Sequence, residues 1–295
     1  MSASTVATTR TRKRPVEPHN RKMEKLRRFF FRLTHSTPER KACRSLLAAA
    51  KRGGHEQYLA LSARYLGLAQ TYFGNCQHES RATRVARTQQ IFTALWQHLP
   101  YAERLSDFEY MLASALIENA PENGPISSSD PLVTKIRLLA PRVRFAFLAY
   151  EFEKWAPRWV ELVMRLSPKA LHRLLSEARC ELCGVSWQAL TKEERNCLEA
   201  ISFSIDKCPN LKVNKALSKR IAAYPRIADI KALWLELRPE LVEVRHRYIP
   251  DRSEREAILK HILADIADKP MRRPAIVDRV LNTVHFSRHA RIKVS

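Results

Sequence analysis

The sequence predicts an all-α protein, and three observations carry that expectation. Only 6 glycines occur in 295 residues, too few for the tight hairpin turns of a strand-rich fold. Apolar residues recur at i, i+3, i+4 spacing through most of the chain. Helix-start residues stand at the segment boundaries, as in Ser167-Pro168, Thr191-x-x-Glu194 and Asp251-x-x-Glu254. Ser, Thr and Asp side chains accept from the free N–H groups of a first turn, and Pro has no N–H to leave unpaired there. The expected architecture is two small helical domains followed by a helical C-terminal extension.

Residues 1–52 form a basic arm with 15 Lys/Arg against 3 Asp/Glu. Met1 to Asn20 is polar and Thr-rich, the composition of a disordered tail. After Arg21 the run KMEKLRRFFFRL suits a basic helix bearing Phe29, Phe30 and Phe31. That helix suits a nucleic-acid or partner arm, or a helix whose Phe side chains dock on the following domain.

Residues 53–118 form the first domain. Tyr58, Leu61, Tyr65, Leu68, Tyr72 and Phe73 share helical spacing. After Gly74 a second segment runs from Ser80 to His98 with Val85, Ile91, Phe92, Leu95 and Trp96. A third, Asp107 to Glu118, carries Phe108, Met111, Leu112, Ala115 and Leu116. Residues 119–131 (NAPENGPISSSDP) are the clearest linker, rich in residues that favour turns.

Residues 132–185 form the second domain, with breaks at Pro141, at Trp155 to Pro157 and at Ser167-Pro168. The last two segments, Arg158 to Arg165 and the one carrying Leu171, Leu174, Leu175, Ala178 and Leu182, are spaced like a helix-turn-helix. The face of the second helix expected to be exposed carries Lys169, His172, Arg173, Ser176 and Arg179. Its free N–H groups, capped at Ser167, suit a phosphate. Residues 186–295 are an extension of short helices punctuated by Pro225, Pro239, Pro250, Pro270 and Pro274. Trp234, Leu235, Leu237, Leu241, Val242 and Val244 supply its apolar faces, and it ends in the basic tail HFSRHARIKVS.

A net charge of +22 favours a polyanionic partner over a merely solvated basic surface, because neutralising phosphates releases counterions. A membrane surface is a weaker option. No apolar run approaches the about 20 residues of a spanning helix, and the N-terminus has no apolar signal core, so a cytoplasmic chain without membrane insertion is expected. The six cysteines fit a reducing compartment. Cys180 and Cys183 form a C-x-x-C pair that raises zinc or redox chemistry, yet they fall near a helix end where packing thiols are the expected reading. His285 and His289 are spaced for a metal, or for a solvated tail. No cofactor or metal is expected. No P-loop, G-x-S-x-G or H-E-x-x-H motif is present, and the carboxylate pairs Glu151/Glu153 and Glu193/Glu194 suit helix surfaces and caps, so an enzyme is not expected.

Arg84 to Trp96 reads RVARTQQIFTALW, and Phe108 and Leu112 follow it. Leu139 to Leu182 reads LAPRVRFAFLAYEFEKWAPRWVELVMRLSPKALHRLLSEARCEL. In order and spacing, and with the linker between, these stretches resemble regions 2 and 4 of sigma-70 family RNA polymerase sigma factors of the small extracytoplasmic-function type. The resemblance implies a transcription initiation factor that binds RNA polymerase core and promoter DNA and that an anti-sigma factor can hold. It places Arg87, Gln89 and Gln90 on the polymerase-facing stretch. It places Ser167, Lys169, His172, Arg173, Ser176 and Arg179 at promoter DNA. The chain departs from the pattern where Ala86 replaces an acidic residue, where residues 113–118 (ASALIE) lack basic side chains, and where Leu174 and Glu177 replace arginines. These departures point to a diverged member. They keep two alternatives open: a polymerase-independent helix-turn-helix regulator, or a sigma-like interaction protein masked by its C-terminal helices.

Overall fold

The structure, a computed structural model, describes residues 38–76, 80–121, 128–207, 219 and 221–272. The basic arm as far as residue 37, with its Phe29–Phe31 run, lies outside the described residues, as do positions 122–127 of the linker and the tail with His285 and His289. Every regular element among the described residues is a helix, so the fold is all-α as the sequence predicts. The chain divides into two contact units, residues 1–45 and residues 46–295. The described part of the first is the beginning of helix α1 (Pro38–Ala50). The second holds the remaining helices.

The apolar run from Tyr58 to Phe73 reads as one helix but folds as two, α2 (His55–Ala63) and α3 (Leu66–Gly74). Arg64 N–H turns back to the Leu61 carbonyl and Tyr65 N–H to the Ser62 carbonyl, at 3.1 and 2.9 Å. The break follows from composition. Residues 66–74 are apolar except for Gln70 and Thr71, so the segment is stable only where neighbours surround it, and eight of its nine residues, both polar ones included, are buried. Helix α4 (Arg81–His98) starts at Ser80, whose hydroxyl accepts from Thr83 N–H at 3.1 Å. A short 3-10 turn (Leu99–Tyr101) leads to α5 (Leu105–Glu118), where Asp107 accepts from Arg104 N–H at 2.8 Å. Tyr58 donates its buried hydroxyl to the Phe92 carbonyl, joining α2 to α4.

Beyond the linker come α6 (Pro131–Leu138), capped by Asp130, and α7 (Pro141–Phe147). Helix α7 continues through one π turn, Leu148–Phe152. Then follow α8 (Pro157–Met164), α9 (Pro168–Leu182), a 3-10 turn at Trp187–Ala189, α10 (Lys192–Lys207), α11 (Pro225–Tyr248) and α12 (Arg252–Ala267). Each helix start read from the sequence is capped. Ser167 Oγ accepts from Ala170 N–H at 3.2 Å and Asp251 from Glu254 N–H at 2.8 Å. Thr191 and Glu194 exchange bonds of 3.2 and 2.8 Å.

Helices from either side of the linker meet in one core. Tyr72 of α3 packs its ring 6.0 Å from Phe145 of α7. Arg144, itself buried, gathers three carbonyls at the end of α6: Ile136, Arg137 and Leu139 at 3.2, 2.6 and 2.7 Å. A cation suits those helix-end carbonyls, and the same guanidinium reaches Cys76 Sγ at 3.0 Å beyond the end of α3.

Pro239 does not end a helix, contrary to expectation. It sits on the exposed side within the 24 residues of α11. Buried Trp234, Leu241 and Val244 hold the helix on both sides of it, and packing of that kind outweighs the local penalty. Leu235 and Val242, expected in an apolar face, are 42 and 49% exposed.

Candidate nucleic-acid interface

Helices α8 and α9 are joined by Arg165, Leu166 and Ser167. Arg165 takes a left-handed conformation (φ 53°, ψ 46°) at the end of α8. That position favours glycine, and a side chain there costs about 1 kcal/mol. The Arg165 guanidinium lies 3.9 Å over the Tyr110 ring of α5, a cation–π contact that offsets part of the strain. Ser167 then caps α9 and Pro168 occupies its first position. A helix, a tight turn and a second helix therefore stand where the sequence expects them.

The exposed face expected of α9 is only partly present. Lys169 and Arg173 are exposed and His172 is half-buried. Ser176 and Arg179 are buried, at 0 and 2% exposure, so the expectation that they face solvent is corrected. The reason lies in the neighbours. Helices α6, α7, α8, α10 and α11 all pack on α9, which leaves its first turns as the open end. Arg179 instead pairs with Glu151 at 2.9 Å, both side chains nearly inaccessible, and its guanidinium lies 5.1 Å from the Trp234 ring centroid of α11. Glu151 comes from the π turn that ends α7. The pairing of Glu151 with Arg179 had no signal in the sequence beyond helix surface, because the partners are 28 residues apart.

At the end of α8 is a cavity of about 260 Å³, lined by Tyr110, Ser114, Glu118, Arg142, Met164 and Arg165, among others. Arg142 reaches it from α7 and donates to the Met164 carbonyl at 3.3 Å. Arg142 and Arg165 are both exposed. Arg142 and Arg165 at the cavity, with Lys169 and Arg173 on the first two turns of α9, bring four exposed cations to the α8–α9 corner. Glu118 is the acidic member of the cavity lining. Burial raises the Glu177 carboxyl above its ordinary range, with Arg173 opposing and Glu181 reinforcing. This arrangement suits phosphate oxygens: exposed cations near a helix start, where the helix dipole favours negative charge. Arg142 was missed in the sequence because only the tertiary fold carries α7 to α8.

The three residues expected to face polymerase lie on α4. Gln90 is exposed, and Arg87 and Gln89 are half-buried. Arg87 donates to the Asn119 carbonyl at 3.3 Å and lies over Phe73 at 5.9 Å, so part of its side chain serves packing. The trio thus stands on a different helix from the four cations of the α8–α9 corner.

Cys180 is fully buried, and Cys183 is half-buried with its Sγ 3.6 Å from the Ile230 carbonyl. Burial pushes the Cys180 thiol up to about 12 and Cys183 to about 11. Both are held as neutral thiols at physiological pH, the form that is a weak nucleophile. No helix of the described residues is long and apolar enough to cross a membrane. No protein-family model matches the chain, and neither a curated protein nor a solved structure matches it.

Proposed function

We propose that the protein is an all-α nucleic-acid-binding regulator that grips the phosphate backbone at the α8–α9 corner. The observation that carries this is the pair Arg142 and Arg165 at one cavity, followed along the chain by exposed Lys169 and Arg173 on the first two turns of α9. The charge of the whole chain, +22, points to the same class of partner. Because Ser176 and Arg179 are buried, α9 touches DNA with its first turns. It does not lay its length in the major groove, and binding is governed by phosphates more than by base edges.

The test is the salt dependence of duplex DNA binding by full-length protein, read by fluorescence anisotropy. Replacing all four cations by Ala is expected to flatten the slope of log affinity against log salt by about 0.9 for each phosphate that is no longer neutralised. A variant with the wild-type slope and affinity sinks the proposal.

A second reading keeps the sigma-type function, in which α4 meets RNA polymerase core and α9 meets promoter DNA. The helix, turn and capped helix at residues 157–182 favour it. Its test is retention of bacterial polymerase core by wild-type protein and loss by a Gln89→Ala/Gln90→Ala variant. If neither form retains core while salt-dependent DNA binding persists, the polymerase-independent regulator is the reading that stands.

A further inference from the structure

Helix α12 lies along α2 and α4, with most of its surface in solvent. Its buried residues are Ile258, Ile262 and Ile266, one stripe at i, i+4, i+8. Eleven of its 16 residues are exposed, and Leu259 beside the stripe is half-buried. Around that stripe the attachment is polar and peripheral. Arg81 holds Glu254 through two bonds of 2.9 Å and lies 3.6 Å from Asp251. Thr93 donates to Asp265 at 3.1 Å, and Trp96 Nε1 donates to the Lys269 carbonyl at 2.8 Å.

The separations in sequence of these pairs are 173, 172 and 173 residues. A constant offset means that α12 runs parallel to α4 in a single register. That register sets Ile262 level with Gln89. The groove wall includes the Trp96 ring, against which His55 and Tyr58 of α2 pack at 4.8 and 5.1 Å. The link to α11 is Ile249-Pro250-Asp251, in which Ile249 is extended (φ −70°, ψ 123°), as a residue before proline must be.

We propose that the α2–α4 groove is a helix-docking surface and that α12 is its removable occupant. The partner it takes when α12 lifts is an amphipathic helix with aliphatic residues at i, i+4 and i+8. That helix carries a carboxylate in its first turn to meet Arg81. The chemistry is that of a helix laid in a groove and read through spaced apolar anchors. The ion pair at Arg81 sets direction, because only a parallel helix brings its acidic start to that end of α4. Tethering favours α12 over a free competitor through its high local concentration. An outside helix therefore binds weakly until α12 is disengaged. The inference is independent of the DNA-binding corner, since the four cations there lie outside α2, α4 and α12.

The experiment uses full-length protein and a fluorescent synthetic peptide of residues 251–269. Ile262→Asp is expected to disengage the tethered helix and to bind the peptide at least tenfold more tightly than wild type. Adding Arg81→Glu to that variant is expected to remove at least tenfold of the gain. A peptide with Ala at positions 258, 262 and 266 is expected not to bind. A Glu254→Lys variant, which keeps the Asp251 cap of α12 and reverses the charge that meets Arg81, provides the same release should Ile262→Asp reduce helix content by circular dichroism. A Thr93→Cys/Asp265→Cys pair locks the tethered helix, and peptide binding is expected to vanish on oxidation and return on reduction in the released background. Peptide affinity no higher in the released variants than in wild type overturns the proposal. So does binding that is indifferent to Arg81.

Discussion

Helices α9 and α12 are nearly equal in length, 15 and 16 residues, and they hold opposite places in the molecule. Helix α9 is surrounded by five other helices and buries Leu171, Leu175, Ser176, Ala178, Arg179, Cys180 and Leu182. Helix α12 buries three isoleucines. The sequence expects the reverse emphasis, with α9 a presented recognition helix and residues 186–295 an appended extension. The contrast teaches that amphipathic pattern sets which stripe is apolar, whereas the number of neighbours sets how much of the remainder is covered. In α9 even one charged side chain is enclosed, and Arg179 survives burial because Glu151 and Trp234 meet it.

The comparison breaks most readily at that buried pair. Arg179→Met leaves the Glu151 carboxylate enclosed without its arginine, and urea denaturation is expected to show a loss of about 3–5 kcal/mol. The double change Arg179→Met/Glu151→Leu is expected to recover most of it, because no charge is then left enclosed. An equal loss in both would show that the pair is not the source.

Truncation of one aliphatic side chain in each helix sharpens the same contrast. Leu175→Ala in α9 is expected to lower global stability by about 2–5 kcal/mol. Ile262→Ala in α12 is expected to shift the global midpoint less, since α12 can detach alone. Its signature is faster hydrogen exchange confined to residues 252–267 and the facing side of α4. Global destabilisation equal to that of Leu175→Ala would place α12 in the same cooperative core.

The exposed end of α9 is expected to be separable from its buried part. Lys169→Ala/Arg173→Ala leaves the unfolding free energy within about 0.5 kcal/mol for each change, while DNA affinity falls. The smallest effect concerns Glu153, whose carboxyl burial holds above its ordinary range, with Arg245 partly opposing. The folded state thus prefers the neutral acid, and its ionised form is penalised at pH values above the folded pKa. That penalty disappears below the ordinary value of 4.5. Glu153→Gln is accordingly expected to raise Tm slightly at pH 7 and to match wild type near pH 4.

Much of the local structure was legible. The capping residues Ser167, Thr191 and Asp251 mark helix starts because their side chains satisfy N–H groups three positions away, a relation contained within four residues of sequence. The turn between α8 and α9 was legible for the same reason. The candidate interface was legible in part. Helical periodicity marks Lys169 and Arg173, whereas the proximity of Arg142 and Arg165 depends on how α5, α7 and α8 pack. Ser176 and Arg179 share that periodicity and are nonetheless buried. Periodicity locates an angle around a helix, and that angle is open or closed according to helices that arrive from elsewhere in the chain.

By itself the sequence determined the all-α class, the helix starts, the strongly cationic character and the apolar stripe of each helix. These follow from propensity, capping and spacing, which act over a few residues. Only the tertiary structure decided that α3 is enclosed, that Pro239 lies within a helix, that Arg179 is buried against Glu151, and that α12 covers α4 in register. Each of these depends on contacts between segments distant in the chain, where burial outweighs local preference and where no single stretch of sequence carries both partners.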